Sequence, residues 1–257
     1  MDDLIVLNLW QFAIIYLLLI VILLIMKKCK VRQSKLLIVA SIRMTVQLVL
    51  AGLILTYILN NPHWGFVMGY LVVMTGFAIF IALSRNKGIN KRFKLIVGAS
   101  LAGAGLSIIV FFILVVVGAN FFNPRYTIPI SGMIMGNAMT GVALGLKAFD
   151  QNLKAGRLRI ETLLAMGVAP QKILTPIVGK SFETALLPTL NSMLGMGIIS
   201  LPGMMTGQIL SGTAPMTAIL YQIAILIAIS AVVCLAVFSS LFFGYRTLYN
   251  KRCQMIF

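Results

Sequence analysis

A chain of 257 residues that is 60% hydrophobic and only 10% charged, with a mean hydropathy of +1.04, is too apolar for a soluble globule. Soluble domains are about half apolar and about a quarter charged, so a multi-span membrane protein is the class that remains. The net charge of +16 does not read as a nucleic-acid face, because the basic residues cluster between apolar runs, as the positive-inside rule expects.

The first run, Leu4–Met26, is long enough to cross the hydrocarbon core as a helix. Asp2 and Asp3 precede it, and Lys27, Lys28, Lys30, Arg32 and Lys35 follow. A signal peptide would carry the opposite polarity and a small-residue cleavage site. The run is therefore expected to be a retained anchor with its N-terminus outside. Leu36–Leu59 returns outward to Asn60-Asn61-Pro62, a turn signal, and His63 and Trp64 mark the outer interface. Gly65–Leu83 leads inward to Arg85, Lys87, Lys91, Arg92 and Lys94, and Leu95–Ala119 leads out to Asn120–Thr127, which holds only Arg125.

Ile128–Leu146 comes inward and opens a cytoplasmic segment at about 147–181 with Lys147, Lys154, Arg157, Arg159, Lys172 and Lys180. Phe182–Leu201 goes out to the Pro/Gly stretch Pro202–Pro215, and Met216–Phe243 returns, leaving Arg246, Lys251 and Arg252 inside. Every Lys and Arg except Arg43 and Arg125 thus falls on one side. The expected fold is all-α: a polytopic membrane protein of about seven transmembrane helices, N-terminus out and C-terminus in. No linker or low-complexity segment divides it, so a single domain over 1–257 is expected, multi-pass in the cell (inner or plasma) membrane. Cys29, Cys234 and Cys253 form neither a disulfide framework nor a metal-type spacing.

Few polar residues interrupt the spans, and each is a candidate. Arg43 lies about two turns into the second run with Gln47 one turn further on the same face. An ionisable group at that depth either faces the bundle interior and a substrate path or snorkels to the headgroups. In the fifth run, Gly132 with Gly136 and Gly141 with Gly145 have the small-xxx-small spacing that lets helices approach closely. Asn137 sits beside that seam, and a buried amide there bonds across helices or touches cargo. Met133, Met135 and Met139, with Met193, Met196, Met204 and Met205, raise a metal reading, since thioethers suit soft Cu(I); flexible apolar filler is the plainer account of methionine. Glu183 and Asn191 share roughly one face of the sixth run. Glu183 is either a carboxylate at the mouth of a cation path or the partner of Lys180. Met133, Met139 and Glu183 are the candidate metal contacts. The stretch LPGMMTGQILSG, Leu201–Gly212, which contains Gln208, is either a broken or re-entrant helix or an external turn.

Gly179-Lys180-Ser181 imitates the end of a phosphate-binding loop, but Leu174 stands where the leading glycine would be and no strand precedes it. Paired carboxylates in one span, a histidine cluster and a nucleophile motif are equally lacking in a sequence with one His and five acids. The chain is expected to be no enzyme and to bind no cofactor of its own.

The segment ETLLAMGVAP, Glu161–Pro170, is the part of the cytoplasmic stretch with a recognisable pattern. Glu161, Leu164, Gly167 and Pro170 resemble the EAA loop by which ABC-transporter permeases dock on their ATPase, although Thr162 and Leu163 replace its two alanines and Gly179-Lys180 stands where Leu-Pro would close it. Further blocks make the resemblance specific: Arg43-x-Thr45-x-Gln47-Leu48 with Gly52, Pro129 and the run Gly132–Met139, Pro188 with Asn191, and Leu201–Gly212 followed by Pro215, Tyr221 and Gln222. Together they resemble the Fet-type (FetB-like) family of ABC permeases, with plant aluminium-tolerance membrane subunits as relatives. The resemblance implies a permease that pairs with a second copy and engages a cytoplasmic ABC ATPase, the partner that holds ATP and Mg. It further implies iron export, with an organic anion such as a nucleotide sugar as the alternative cargo and Arg43 as its charge partner. A seven-helix sensor or scaffold is the reading from another class; a docking function at Glu161–Pro170 separates it from a transporter.

Overall fold

The computed structural model describes residues 9–31, 33–84 and 90–249. Asp2, Asp3, Arg32, Arg85, Lys87, Lys251, Arg252 and Cys253 lie outside the described residues. A first compact unit ends at Asn61 and contains α1 (Leu9–Lys28) and α2 (Ser34–Asn60). The second begins at Pro62 and contains α3 (Trp64–Ser84), α4 (Lys91–Phe111), α5 (Pro124–Ala155), α6 (Arg157–Ala165), α7 (Pro170–Gly195), α8 (Gly203–Leu210) and α9 (Pro215–Gly244). A π-helical turn, Phe112–Val117, extends α4, and a 3-10 turn, Tyr245–Thr247, closes α9. Among the described residues no strand forms, and five helices are long and apolar enough to cross a membrane: α2, α3, α4 with its π turn, α5 and α9.

Two elements depart from the boundaries expected of the sequence. The fifth run is part of a much longer helix. Asn123 caps α5 by accepting a hydrogen bond from the Arg125 N–H at 3.1 Å, and Pro124 takes the first helical position, where no N–H is needed. At 1.5 Å per residue its 32 residues span about 48 Å, against a hydrocarbon core of about 30 Å. The end carrying Lys147, Asp150 and Lys154 therefore projects beyond the apolar layer, where Lys154 Nζ meets Asp150 Oδ2 at 2.6 Å. The sixth run is shifted: α7 starts at Pro170 and stops at Gly195 instead of covering 182–201, because Met196 is extended and Gly197 turns the chain at φ +88°. Its apolar run is diluted by Gln171, Lys172, Lys180, Glu183 and Asn191, and it is not among the five apolar spans.

The second unit is built around α5, which packs against α3, α4, α7 and α9. Of its four paired glycines, only one pair meets another helix among the described residues. A Cβ on Gly141 would stand 2.6 Å from Val233 Cγ1, and one on Gly145 3.0 Å from Val237 Cγ1, so both seat α9. Gly132 and Gly136 meet nothing within 4 Å. Gly141→Leu is expected to push α9 off α5 and lower stability by about 1–3 kcal/mol, the usual range for overpacking. Gly132→Leu should leave the melting temperature of the detergent-solubilised single chain unchanged. Equal destabilisation by both would contradict this packing.

Candidate functional site

The segment between α5 and α7 folds as a short helix and a tight turn. In α6 only Ile160 is buried; Leu163 and Leu164 lean on the core, while Leu158 and Met166 are 80% and 74% exposed. The helix ends in a Schellman motif: the Val168 N–H bonds the Leu163 carbonyl and the Gly167 N–H bonds the Leu164 carbonyl, each at 3.0 Å. Gly167 has φ +80°, a conformation that costs an L side chain and costs glycine nothing. Pro170 then opens α7 and is buried. Glu161 is exposed and pairs with Arg157 at 2.8 Å, one turn away; such an exposed pair contributes about 0.5 kcal/mol or less. The outer surface of α6 thus combines a carboxylate with exposed apolar side chains, and Leu164 and Pro170 hold it in place from beneath.

A second feature is a cleft of about 220 Å³ between α5, α7 and α9, lined by Met133, Asn137, Thr140, Ser192, Met196 and Gln222 among others. It adjoins a hollow of about 470 Å³ beside α8, which shares Met196, Pro202, Gln222 and Leu226 and adds Met193 and Met205. Three polar side chains of the cleft bond carbonyls of their own helices. Asn137 Nδ2 donates to the Met133 carbonyl at 2.8 Å rather than bonding across helices, and Thr140 and Ser192 donate to the Gly136 and Pro188 carbonyls, each at 2.9 Å. Gln222 differs. It is 5% exposed, its Nε2 points at Met196 Sδ at 3.7 Å, and its Oε1 is buried without a hydrogen-bond partner. An unpartnered buried acceptor costs about 1–3 kcal/mol. Gln222 was read only as part of the family pattern, yet it is the one amide in an α9 that carries no charge, and that isolation was the available signal.

The remaining candidates are carried by α2, α5, α7 and α8. Arg43 and Gln47 lie exposed on α2 in the first unit. Glu183 and Asn191 are exposed on α7, and Glu183 makes no ion pair with Lys180: both side chains are solvent-accessible, and three-residue spacing does not force contact. Leu201–Gly212 is mostly the short helix α8, packed on α9, in which Gln208 Oε1 is buried without a partner. Met135 is fully buried and Met139 packs on the core, as apolar filler does.

A family profile described as "Uncharacterised protein family (UPF0014)" matches residues 9–249. The chain belongs to the UPF0014 family. It is 32% identical over 244 residues to the "Probable iron export permease protein FetB" of Escherichia coli (strain K12), covering 95% of this chain and 93% of the relative. It is 32% identical over 213 residues to "Protein ALUMINUM SENSITIVE 3" of Arabidopsis thaliana, covering 83% and 77%. "UPF0014 membrane protein YjkA" of Bacillus subtilis (strain 168) is 32% identical over 199 residues, covering 77% and 78%. No solved structure gives a significant match. The resemblance read from the motifs is thereby shown, and UPF0014 relatives named as membrane proteins, together with five apolar helices, make this a multi-pass membrane protein.

Proposed function

We propose that this UPF0014 protein is the membrane-spanning subunit of an ATP-driven ABC exporter. Its spans number about seven, N-terminus outside and C-terminus inside, in a single permease domain over 1–257. A separate cytoplasmic ATPase docks on α6 and the Gly167 turn and supplies ATP and Mg; the chain itself performs no hydrolysis. The observation that carries this reading is α6: a short helix whose carboxylate and apolar side chains face outward, fixed by a glycine turn between two long helices. Movement of a docked ATPase there passes directly into α5 and α7, the helices that line the central cleft.

A second copy pairs along the face of α5 that carries Gly132, Gly136 and Asn137. These groups are exposed or half-exposed in one chain, and small and polar positions are poor contacts for lipid but good ones for a facing helix. The pathway residues proposed are Arg43, Gln47, Asn137, Glu183, Asn191 and Gln208. Iron is the proposed cargo, from the name of the bacterial relative. Export of an organic anion is a second reading, favoured by the lack of any carboxylate or imidazole in the cleft. Inverted vesicles holding this chain and its ATPase decide between them: ATP-dependent iron accumulation is the expected result. Accumulation of an anionic organic solute alone, lost on Arg43→Ala, would replace iron by that solute. No ATPase association under any condition would end the transporter reading.

A further inference from the structure

Between the end of α5, α6 and the first half of α7 lies an open groove of about 500 Å³. Its floor is apolar: Ile160 and Ile173 are buried and Ile177 is half-buried. Its rim is cationic, formed by Arg159 of α6 and by Lys172 and Lys180 of α7. The two lysines stand one turn before and one turn after Pro176 on the same face. A four-carbon stem covers the rise of one turn, about 5.4 Å, so both ammonium groups can reach one guest above Pro176. Asn152 Nδ2 donates to Ser181 Oγ at 3.1 Å, and Ser181 donates to the Ile177 carbonyl at 2.7 Å, which fastens α5 to α7 along the groove's edge.

The carboxylates are kept out of this groove. Asp150 and Glu161 are held by Lys154 and Arg157, one turn away on their own helices. Glu183, the remaining described carboxylate, is exposed on α7 and does not line the groove. Arg159, Lys172 and Lys180 form no ion pair among the described residues. Three like charges around one hollow repel one another until an anion enters. The length of α5 sets the depth: Asn152 lies about 42 Å along it from Pro124, and a bilayer with its headgroups is about 40–45 Å thick. The groove thus opens at headgroup level, where basic pockets between membrane helices take lipid headgroups.

We propose that this groove binds a phosphate ester between Arg159, Lys172 and Lys180, and that its depth and apolar floor favour an acidic phospholipid as the source. The phosphate meets the three cations and an acyl chain covers Ile173 and Ile177. That an occupant also steadies α6 for a docked ATPase rests on the permease reading above; the binding site does not.

The test titrates the full-length protein in neutral detergent micelles with dioctanoyl phosphatidylglycerol, following its melting temperature and the lipid retained in native mass spectra. Dioctanoyl phosphatidylcholine, glycerol 3-phosphate and inorganic phosphate are the comparison probes. Saturable binding of phosphatidylglycerol with a stabilising shift is expected, and little shift with phosphatidylcholine. The triple variant Arg159→Gln/Lys172→Gln/Lys180→Gln should melt like wild type without lipid yet bind more weakly by about fivefold for each cation removed. The charge-matched variant Lys91→Gln/Arg92→Gln/Lys147→Gln, at cations outside the groove, should bind as wild type does. Equally tight binding of glycerol 3-phosphate or inorganic phosphate, lost in the groove variant, would uphold the phosphate site and replace lipid by a soluble source. Absence of saturable binding of any probe by folded wild type, undiminished binding by the groove variant, or equal weakening in both variants would overturn the proposal. These titrations need no ATPase, so their failure leaves the permease reading standing, and a chain that no ATPase energises can still hold the phosphate.

Discussion

Gly244→Leu is expected to prevent the second unit from folding, and Gly244→Ala to destabilise it severely. A Cβ at this position would lie 1.7 Å from Phe93 Cε2, 2.2 Å from Cδ2 and 2.6 Å from Cζ. No rotamer choice at residue 244 relieves that overlap, because a Cβ has no rotamers. The ring is equally unable to retreat: Phe93 is buried and stands edge-to-face on Phe149 with centroids 6.0 Å apart, at 82°. Either α9 lifts from α4 or the aromatic cluster at the foot of the core comes apart. Overpacking of a tight site costs about 1–3 kcal/mol and sometimes more, and this contact lies at the severe end because the neighbour is a ring and not a flexible tip. The measurements are the yield of monodisperse protein after extraction and its melting temperature. A double-mutant cycle adds a sharper check: in the Gly244→Ala background, Phe93→Leu should cost less than it does in wild type, with a coupling of about 0.5–3 kcal/mol. A Gly244→Ala variant that melts like wild type would refute the contact.

Much of the architecture was legible because membrane solvation leaves few choices. A chain so apolar has to satisfy its backbone internally, and helices do this with local bonds; clustered lysines and arginines then divide one apolar run from the next. What was not legible depends on which neighbour each residue meets. Gly132-x-x-x-Gly136 and Gly141-x-x-x-Gly145 have the same spacing in sequence, but only the second faces α9. The stop of α7 at Gly195 was hidden because Met196–Leu201 is as apolar as a span; Gly197 with φ +88° ends the helix there, and composition cannot announce a dihedral angle. Lys180 and Glu183 had helical spacing for a pair and made none, while Glu161 found Arg157. In the cleft, Asn137 attracted notice for its polarity and proved satisfied by its own helix. Gln222, surrounded by apolar residues, holds the unpartnered oxygen. Polarity can be read along a chain; whether a polar group is already satisfied is a property of the packed helices.

If the protein is the ABC permease proposed above, Gly167→Val should abolish most ATP-driven transport while leaving the helical bundle folded. Residue 167 holds φ +80°, and the Schellman bonds from Gly167 to Leu164 and from Val168 to Leu163 depend on it. Forcing an L residue into a sparsely populated backbone region costs about 1–3 kcal/mol, and a β-branched residue tolerates it least. The chain escapes by opening the turn, which swings α6 away from its seat on Ile160. α6 holds to the core through Ile160, with Leu163 and Leu164 half-buried beside it, so the loss stays local. If the closed turn is the form that the ATPase docks on, the same strain expressed as a population lowers that form by about 5–150-fold. Gly167→Asn supplies the discriminating comparison, because asparagine enters the left-handed region far more readily than valine. Transport and ATPase association should therefore fall in the order glycine, asparagine, valine, with melting temperature nearly constant across the three. Equal loss in the asparagine and valine variants would mean that space at this position matters, and not its dihedral angle. Full transport by Gly167→Val would detach this turn from the coupling of ATP hydrolysis to export.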